Sequence, residues 1–401
     1  MSTNLRPADS WAPQYFLASV GAGGIAVAFF IWLFMWVPHP GQPVPIYEDI
    51  AAQWAKGQIL SNAMIVIAMA AVAIFGLLNL RALFWNLSRY SVFRSSPAFD
   101  NLRSNNGEVS LITLPLALAM SINVMFILGL VFVPGLWQIV EYLFPVALAA
   151  FVTVGVLALS MIGRFHGRIL GQGGMDWAGN NSFAQVQPAF ALGMVAVGLA
   201  ASASLSGNVV TAGVAVSLAS IFLTFSVIIA IVAVILGFVS MAQHGAAKET
   251  APTLTIIVPL TTVLGILMMR INHGLHTHFN AEISDGDYLF LLSVLIGIQL
   301  TFLLLGAAVL RAQGYWARYI TGPETSAGSY GLVCPGVAFS VLFQFFINKA
   351  LVGAGIVAKF GLAYWVLSAI PVAVLLATVW LILVLNRKHF AVNKSAQLLA
   401  E

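Results

Sequence analysis

Three ionisable side chains lie inside long apolar segments of this 401-residue chain: Glu141, Arg270 and Lys349. A charge in lipid is costly unless it is paired or hydrated, so such residues mark either ion pathways or helix-locking ion pairs. One hypothesis is an outer charge cluster with a positive surplus, which would attract anions to an external vestibule. The alternative is an ion pair that only locks helices, with Lys349 reaching the membrane surface.

Cys334 is the only cysteine and directly precedes Pro335. A single cysteine excludes an intrachain disulfide framework, a CxxC redox pair and a cysteine-rich zinc site. Cysteine is commonly a small apolar core residue. The functional alternative is a nucleophilic thiol at a helix break, although no cation that would favour the thiolate is adjacent in the sequence.

Three histidines, His273, His276 and His278, form an H-x2-H-x-H pattern at the end of an apolar segment. Imidazoles are competent metal ligands, but this spacing matches no strong metal motif, and a pH-sensitive mouth is the favoured interpretation. No Walker loop, HExxH motif or nucleotide fingerprint occurs. The sequence therefore predicts no cofactor and no enzymatic activity.

The composition identifies lipid as the main solvent of the chain. Hydrophobic residues make up 60% and charged residues only 7%, with a mean hydropathy of +0.97. Soluble domains carry about 25% charged residues, so soluble enzyme folds are excluded. The net charge of +4 is then a sign of membrane topology rather than of nucleic-acid binding. No cleavable signal sequence is predicted.

Ten apolar runs are long enough to cross a bilayer. The predicted spans are 14–37, 60–82, 109–133, 136–162, 183–205, 208–240, 252–273, 286–311, 330–356 and 362–386. They leave only short connections, so residues 1–401 are predicted to form a single transmembrane domain. The predicted fold is an all-α polytopic membrane protein with five helical hairpins, in which the odd helices are inner and the even helices outer.

The charges between the spans predict the orientation of the chain. Thirteen Lys and Arg residues fall at the termini or in even-to-odd connections, against two, Lys56 and Lys359, in odd-to-even connections. The thirteen are Arg6, Arg81, Arg89, Arg94, Arg103, Arg164, Arg168, Lys248, Arg311, Arg318, Arg387, Lys388 and Lys394. This bias predicts cytoplasmic termini and an even number of spans. The predicted location is an inner membrane of bacterial type.

Prolines recur at nearly constant spacing in the odd spans after the first. They are Pro115, Pro188, Pro259 and Pro335, separated by 73, 71 and 76 residues. Span 1 carries Gly21, Gly23 and Gly24 at a similar depth. Pro145 and Pro371 in even spans show that proline is common in membrane helices, but the constant spacing favours a hairpin repeat. Such residues loosen the helix and free backbone carbonyls, which are tolerated only inside protein or beside a water-filled cavity.

Deep in the odd spans, the polar candidates are Ser121 and Asn123 of span 3 and Ser340, Gln344 and Asn348 of span 9. A neutral pore of small residues, aromatic rings and hydroxyl groups would suit the passage of an anion that binds weakly. Hydrogen bonding between helices is the alternative role for each of these side chains.

In its architecture the chain resembles the tellurite-resistance/C4-dicarboxylate transporter and slow-anion-channel superfamily. The matching sequences are FLASVGAGGIAVAFFIWL of span 1, QPAFALGMVAVGLAAS of span 5 and the proline positions. The resemblance implies a homotrimer whose protomers each have a central pore within five inner helices. It also implies a pore-closing phenylalanine before the proline of span 9, where this chain has Cys334. Phe339, Phe343 or a phenylalanine of another inner helix would then take that role.

The sequence thus predicts a channel or transporter that moves a small anion or anionic metabolite through a central pore lined by the odd helices. Its expected partners are the lipid bilayer and the anion, with no nucleic acid. The alternative is a membrane redox or thiol-chemistry protein centred on Cys334, with metal at the three histidines. A third interpretation, a scaffold or sensor, predicts no continuous cavity. Glu141, as the only carboxylate within a span, is the candidate for proton coupling.

Overall fold

The computed structural model describes residues 6–391, which are helical with no strand in that range. Lys394 lies outside the described residues. Ten helices are long and apolar enough to cross a membrane, which confirms the predicted number of spans. We label them α1 Pro13–Trp36, α2 Ile59–Phe93, α3 Asn106–Phe132, α4 Leu136–Gln172, α5 Ala184–Leu205, α6 Val209–His244, α7 Ala251–Phe279, α8 Asp285–Ala312, α9 Ala327–Leu351 and α10 Leu362–Phe390.

Two even helices extend well beyond their predicted spans. Helices α2 and α4 continue to Phe93 and Gln172, whereas the spans predicted from the apolar runs end at residues 82 and 162. An apolar run detects only the part of a helix that lipid surrounds. The backbone ladder continues through polar residues such as Arg89 and Arg168, because its hydrogen bonds do not depend on an apolar surface.

The helices run alternately in opposite directions. At one side of the bundle, Tyr15 at the start of α1 lies beside His389 at the end of α10, with 2.8 Å between Oη and Nδ1. At the other side, Trp36 Nε1 at the end of α1 donates to Tyr364 Oη at the start of α10 over 2.9 Å. We call the first the terminal side, since both ends of the described chain lie there, and the second the opposite side.

Odd and even helices differ in burial. The apolar segments of the five odd helices are 67 to 94% buried within the protein, whereas those of the even helices are only 28 to 33% buried. Helix α1 has the highest value, and its FLASVGAGGIAVAFF sequence is apolar or small on every side. A helix that is apolar all round is suited to burial on all faces.

The helix contacts follow a regular order. Each odd helix packs against the even helix that follows it. Among the odd helices, α1 packs on α3, α3 on α5, α5 on α7, α7 on α9, and α9 returns to α1. The α1–α9 contact is close because Gly21 and Gly24 face Val333 and Val337. Small residues allow membrane helices to approach in this way.

Every odd helix begins with a 3-10 turn. The five turns are Pro13–Tyr15, Asn106–Ile112, Ala184–Val186, Ala251–Thr255 and Ala327–Leu332. The four recurring prolines fall on the second or third residue of the α-helical part that follows. The expectation that they loosen the helix from within is therefore wrong. They lie in the first turn, where backbone N–H groups have no partner four residues earlier in an α-helix.

The close approach of α5 and α7 provides a test of the packing. A side chain at Gly274 of α7 would collide with the backbone carbonyl oxygen of Ala203 in α5, whereas nothing lies within 4 Å at Gly297 of α8. We expect Gly274→Ala to lower the free energy of unfolding by about 1–3 kcal/mol, since the carbonyl cannot move without its helix. Unfolding of the detergent-solubilised protein measures the change.

Gly297→Ala is the matched control. It should raise the free energy of unfolding by roughly 0.5–1 kcal/mol, because alanine restricts the unfolded backbone and meets no obstacle in the helix. Equal effects of the two substitutions would contradict this account of the α5–α7 contact.

Candidate functional site

Three cavities lie in series among the odd helices. We call them the terminal cavity, of about 490 Å³, the central cavity, of about 110 Å³, and the opposite cavity, of about 220 Å³. Phe190, Pro259 and Cys334 line both the terminal and the central cavity. The central and opposite cavities share Val27, Asn123, Ile127, Ile266 and Arg270. Neighbouring cavities therefore meet at common side chains.

The central cavity is lined by residues of α1, α3, α5, α7 and α9 and by no even helix of the described chain. Most of its wall is apolar, with Asn123 and Thr262 as neutral polar side chains. Asn123 Nδ2 donates to Ala119 O over 3.0 Å, so part of this amide is occupied within α3. The predicted residues that line this cavity are Gly21, Gly24, Asn123, Pro259 and Cys334.

Other sequence-predicted residues lie elsewhere. Within residues 6–391, the predicted pore residues that line none of the three cavities are Gly23, Pro115, Ser121, Pro188, Pro335, Phe339, Ser340, Phe343, Gln344 and Asn348. Gly23 instead faces Asn79 of α2 and Met120 of α3. Ser121 is buried, and its Oγ has no hydrogen-bond partner in the described part of the protein.

Arg270 lies where the central and opposite cavities meet. Its Nη1 donates to the backbone carbonyl oxygen of Val197 in α5 over 2.7 Å. Among the ion pairs formed within residues 6–391, none includes Arg270. A guanidinium carries five N–H donors. One bond to a carbonyl thus leaves most of its donors and its full charge available to the cavities.

Two further basic side chains, Lys349 and His273, line the opposite cavity together with Arg270. No carboxylate occurs in the lining of this cavity as the described residues form it. Lys349 lies in a π-helical turn, Phe346–Leu351, that ends α9 five residues before its predicted span does. The pKa of nearby Lys359 is lowered, mainly by burial and further by the positive charge of Lys349. The opposite cavity is therefore an electropositive site.

Glu141 is separate from this site, which corrects the predicted three-residue charge cluster. Its carboxylate accepts hydrogen bonds from Ser206 Oγ over 2.8 Å and from the backbone N–H of Gly207 over 2.6 Å. It is exposed at the start of α4 and lines none of the three cavities. The connection between α5 and α6 binds this carboxylate, so the cluster reduces to Arg270 and Lys349.

Other carboxylates on the opposite side are also bound by backbone N–H groups. Glu48 accepts from Gly135 N over 2.7 Å, and Asp49 accepts from Ile46 N over 3.1 Å. Charge-assisted bonds of this kind are strong. These carboxylates stabilise connections and helix ends rather than pairing with the cations of the cavity.

The three histidines do not come together. His276 Nδ1 lies 2.8 Å from Ala281 O, and His278 Nε2 lies 2.9 Å from Ser206 O, while His273 lines the opposite cavity. No group of three or more His, Cys, Asp or Glu residues that could hold a metal ion occurs in residues 6–391. The geometry thus gives these histidines separate environments.

Phe190 is the aromatic side chain that lines both the terminal and the central cavity. It belongs to α5, is only 3% exposed and follows Pro188 by two residues. Phe339 and Phe343 instead pack against Phe302 of α8 and Val374 of α10, away from the cavities. Their proposed role in closing the path is therefore wrong. An aromatic residue within one turn of an odd-helix proline is a feature that Phe190 shares with Phe339, so the sequence does not distinguish the two.

The terminal cavity is more polar than the central cavity. The first turns of the odd helices contribute to its wall, so several backbone dipoles have their positive ends near it. Asn180 and Gln187 are 3% and 4% exposed, and within the described chain Asn180 Nδ2 and Gln187 Oε1 have no hydrogen-bond partner. Both line this cavity, together with the exposed carboxylate of Glu249. These residues thus add buried polar groups to the wall of the terminal cavity.

Comparison with models of known protein families finds no match to this chain, and comparison with curated proteins finds none either. The resemblance identified from the sequence therefore remains a prediction. Function has to be argued from the chemistry of the site, because a fold alone does not determine it.

Cys334 provides a direct test of the cavity arrangement, since it is the only thiol and lies where the terminal and central cavities meet. We expect a small thiol reagent added from the terminal side to modify Cys334. A bulky reagent should react at least about tenfold more slowly, because the thiol is only 8% exposed. Mass spectrometry of the intact protein measures the modification.

Cys334→Ala is the control, and it should remove all labelling. Equal labelling rates with small and bulky reagents would contradict the position of the thiol at a narrow junction.

Proposed function

We propose that this protein moves a small anion, or an anionic metabolite, across the membrane through the three cavities. The observation that carries the proposal is Arg270, a cation without a carboxylate partner in the described chain, where the central and opposite cavities meet. An anion in the path would supply the missing negative charge. A cation would be repelled there, so the site favours anions.

Helix packing supports a central path within the odd helices. The odd helices contact one another in a closed order, from α1 through α3, α5, α7 and α9 back to α1. They are also the more buried set, and they alone line the central cavity as the described residues form it. The proposed arrangement is five helical hairpins, with the odd helices inside and the even helices facing lipid.

The distribution of charge along the path supports passage rather than tight binding. The opposite cavity would concentrate anions through Arg270 and Lys349, and the terminal cavity offers amides and helix N-termini. Between them, the wall of the central cavity is mostly apolar. Conduction requires entry to be favourable and each binding site to be weak enough for exit. Positive side chains at one end favour entry, and dipoles beside the exposed carboxylate of Glu249 at the other end favour exit.

The orientation and assembly of the chain belong to the same proposal. The excess of Lys and Arg on the terminal side supports cytoplasmic termini in a bacterial-type inner membrane. The anion would then meet the opposite cavity from outside the cell. The family resemblance implies a homotrimer in which each protomer has its own path.

The first test removes the charge of Arg270. We expect Arg270→Gln to lower chloride or nitrate flux in proteoliposomes by about ten- to a hundredfold, because the barrier loses roughly 1.4–2.8 kcal/mol of stabilisation. Arg270→Lys retains the charge and should retain more flux. The exposed Lys349 is better solvated, so Lys349→Gln should have a smaller effect.

Glu141→Gln is the matched control for these measurements. Its carboxylate is bound to Ser206 and Gly207 outside the cavities, so flux and its pH dependence should not change. Unchanged flux and ion selectivity in both Arg270→Gln and Lys349→Gln would refute the proposal, provided that both variants elute as folded protein.

The second test widens the junction at Phe190. We expect Phe190→Ala to raise anion flux by about tenfold, since an apolar ring at a narrow point hinders a hydrated ion. Proteoliposome flux with the same anions measures the effect. Phe339→Ala is the control, because this ring packs against α8 and α10 and its loss should leave the path unchanged. Equal flux in wild type and Phe190→Ala would exclude Phe190 as the constriction.

A further inference from the structure

A fourth cavity, of about 110 Å³, lies on the terminal side outside the odd-helix path. The end of α2, the short helix Pro97–Arg103, the start of α3 and the end of α4 form its walls. Three arginines line it: Arg94, Arg103 and Arg164. We call this cavity the basic pocket.

The basic pocket has a surplus of positive charge. Its single carboxylate, Glu108, is 9% exposed and pairs with Arg103 over 3.5 Å and with Arg168 over 3.0 Å. Neither Arg94 nor Arg164 takes part in an ion pair within the described residues. The one carboxylate of the pocket is thus shared by Arg103 and Arg168, while Arg94 and Arg164 have no acidic partner within the described residues.

Aromatic rings orient the guanidinium groups. The Arg94 guanidinium lies 5.9 Å from the Tyr90 ring centre, and that of Arg103 lies 5.6 Å from the Phe99 ring centre. Contacts of this kind restrict a planar guanidinium and leave its N–H edge free. That edge matches two oxygens of a phosphate group, which arginine binds through two parallel hydrogen bonds.

The depth of the basic pocket matches the level at which the apolar spans begin. Tyr90 packs on Phe16, the first α-helical residue of α1, with 6.3 Å between ring centres. The floor is apolar and includes Ile112 at the start of α3 and Ile162 near the end of the apolar run of α4. The adjacent surface of α2 exposes Val92, which is 71% accessible. A ligand here would meet cations at one end and lipid-facing apolar surface at the other.

We propose that the basic pocket binds the phosphate group of an anionic phospholipid from the adjacent leaflet. Arg94 and Arg164 contact the phosphate oxygens, and the acyl chains lie along the apolar surface of the neighbouring helices. Basic pockets between transmembrane helices bind lipid headgroups by this chemistry. The arginines are separate from the proposed anion path, since none of them lines the path cavities; the basic pocket shares only Val109 with the terminal cavity.

The test measures lipid retention by the full-length protein. Wild type, Arg94→Gln/Arg164→Gln and Arg311→Gln/Arg387→Gln are incubated with mixed micelles of equal amounts of phosphatidylglycerol and phosphatidylcholine. Native mass spectrometry then counts bound lipid. The control pair is also exposed and unpaired within residues 6–391, but it lies outside the basic pocket.

Wild type and the control pair should retain phosphatidylglycerol in preference to phosphatidylcholine. The pocket variant should retain about tenfold less phosphatidylglycerol, because two charge-assisted contacts are lost. Equal retention in all three proteins would overturn the proposal. If the double variant does not fold, the single variants Arg94→Gln and Arg164→Gln provide the same comparison.

A second arm distinguishes lipid from free phosphate. Inorganic phosphate, added in excess over the lipid, should displace little phosphatidylglycerol, because free phosphate lacks the apolar contacts. Complete displacement by this phosphate would overturn the lipid assignment and identify a soluble phosphate group as the ligand.

Discussion

A guanidinium in an apolar helical bundle needs a negative charge or water beside it, because neither lipid nor aliphatic side chains can solvate it. Arg270 has only the carbonyl of Val197 as a protein acceptor in the described chain, and it borders two cavities. The charge of Arg270 therefore requires the space of the cavities, which the packing of the helices provides. The helices around them leave space at the centre, while glycine allows close contact elsewhere, as Gly274 of α7 does against Ala203 of α5.

The beginnings of the odd helices determine the chemistry of the terminal side. A 3-10 turn before each α-helical segment turns the chain tightly, and the following proline needs no N–H partner at that position. The repeated turn brings backbone N–H groups of several helices toward one polar cavity. In the proposed path, the two ends would therefore attract a solute by different means, with side-chain charge at one end and oriented peptide groups at the other.

The sequence predicts the ten helices well, because hydropathy reports directly on the solvent of each segment. It also identifies Arg270, Lys349 and Cys334, since rare residue types stand out in an apolar chain. It cannot predict which face of an odd helix lines the path. Helix α1 is apolar on every side, so its sequence carries no preferred direction. The sequence likewise does not show that Phe339 of α9 faces away from the cavities. Phe190 could be found only from the structure.

The sequence also does not reveal the contacts that the connections between helices make. Glu141 is bound by the backbone N–H of Gly207, a donor that every residue except proline possesses, so no residue pattern marks the pair.

The unequal ends of the proposed path have a consequence for its electrical behaviour. Positive side chains surround the opposite cavity, while an exposed carboxylate, Glu249, lies at the terminal cavity. The electrostatic potential along the axis is then not symmetric. An anion current along the proposed path should therefore rectify, and the rectification should weaken as salt screens the exposed charges.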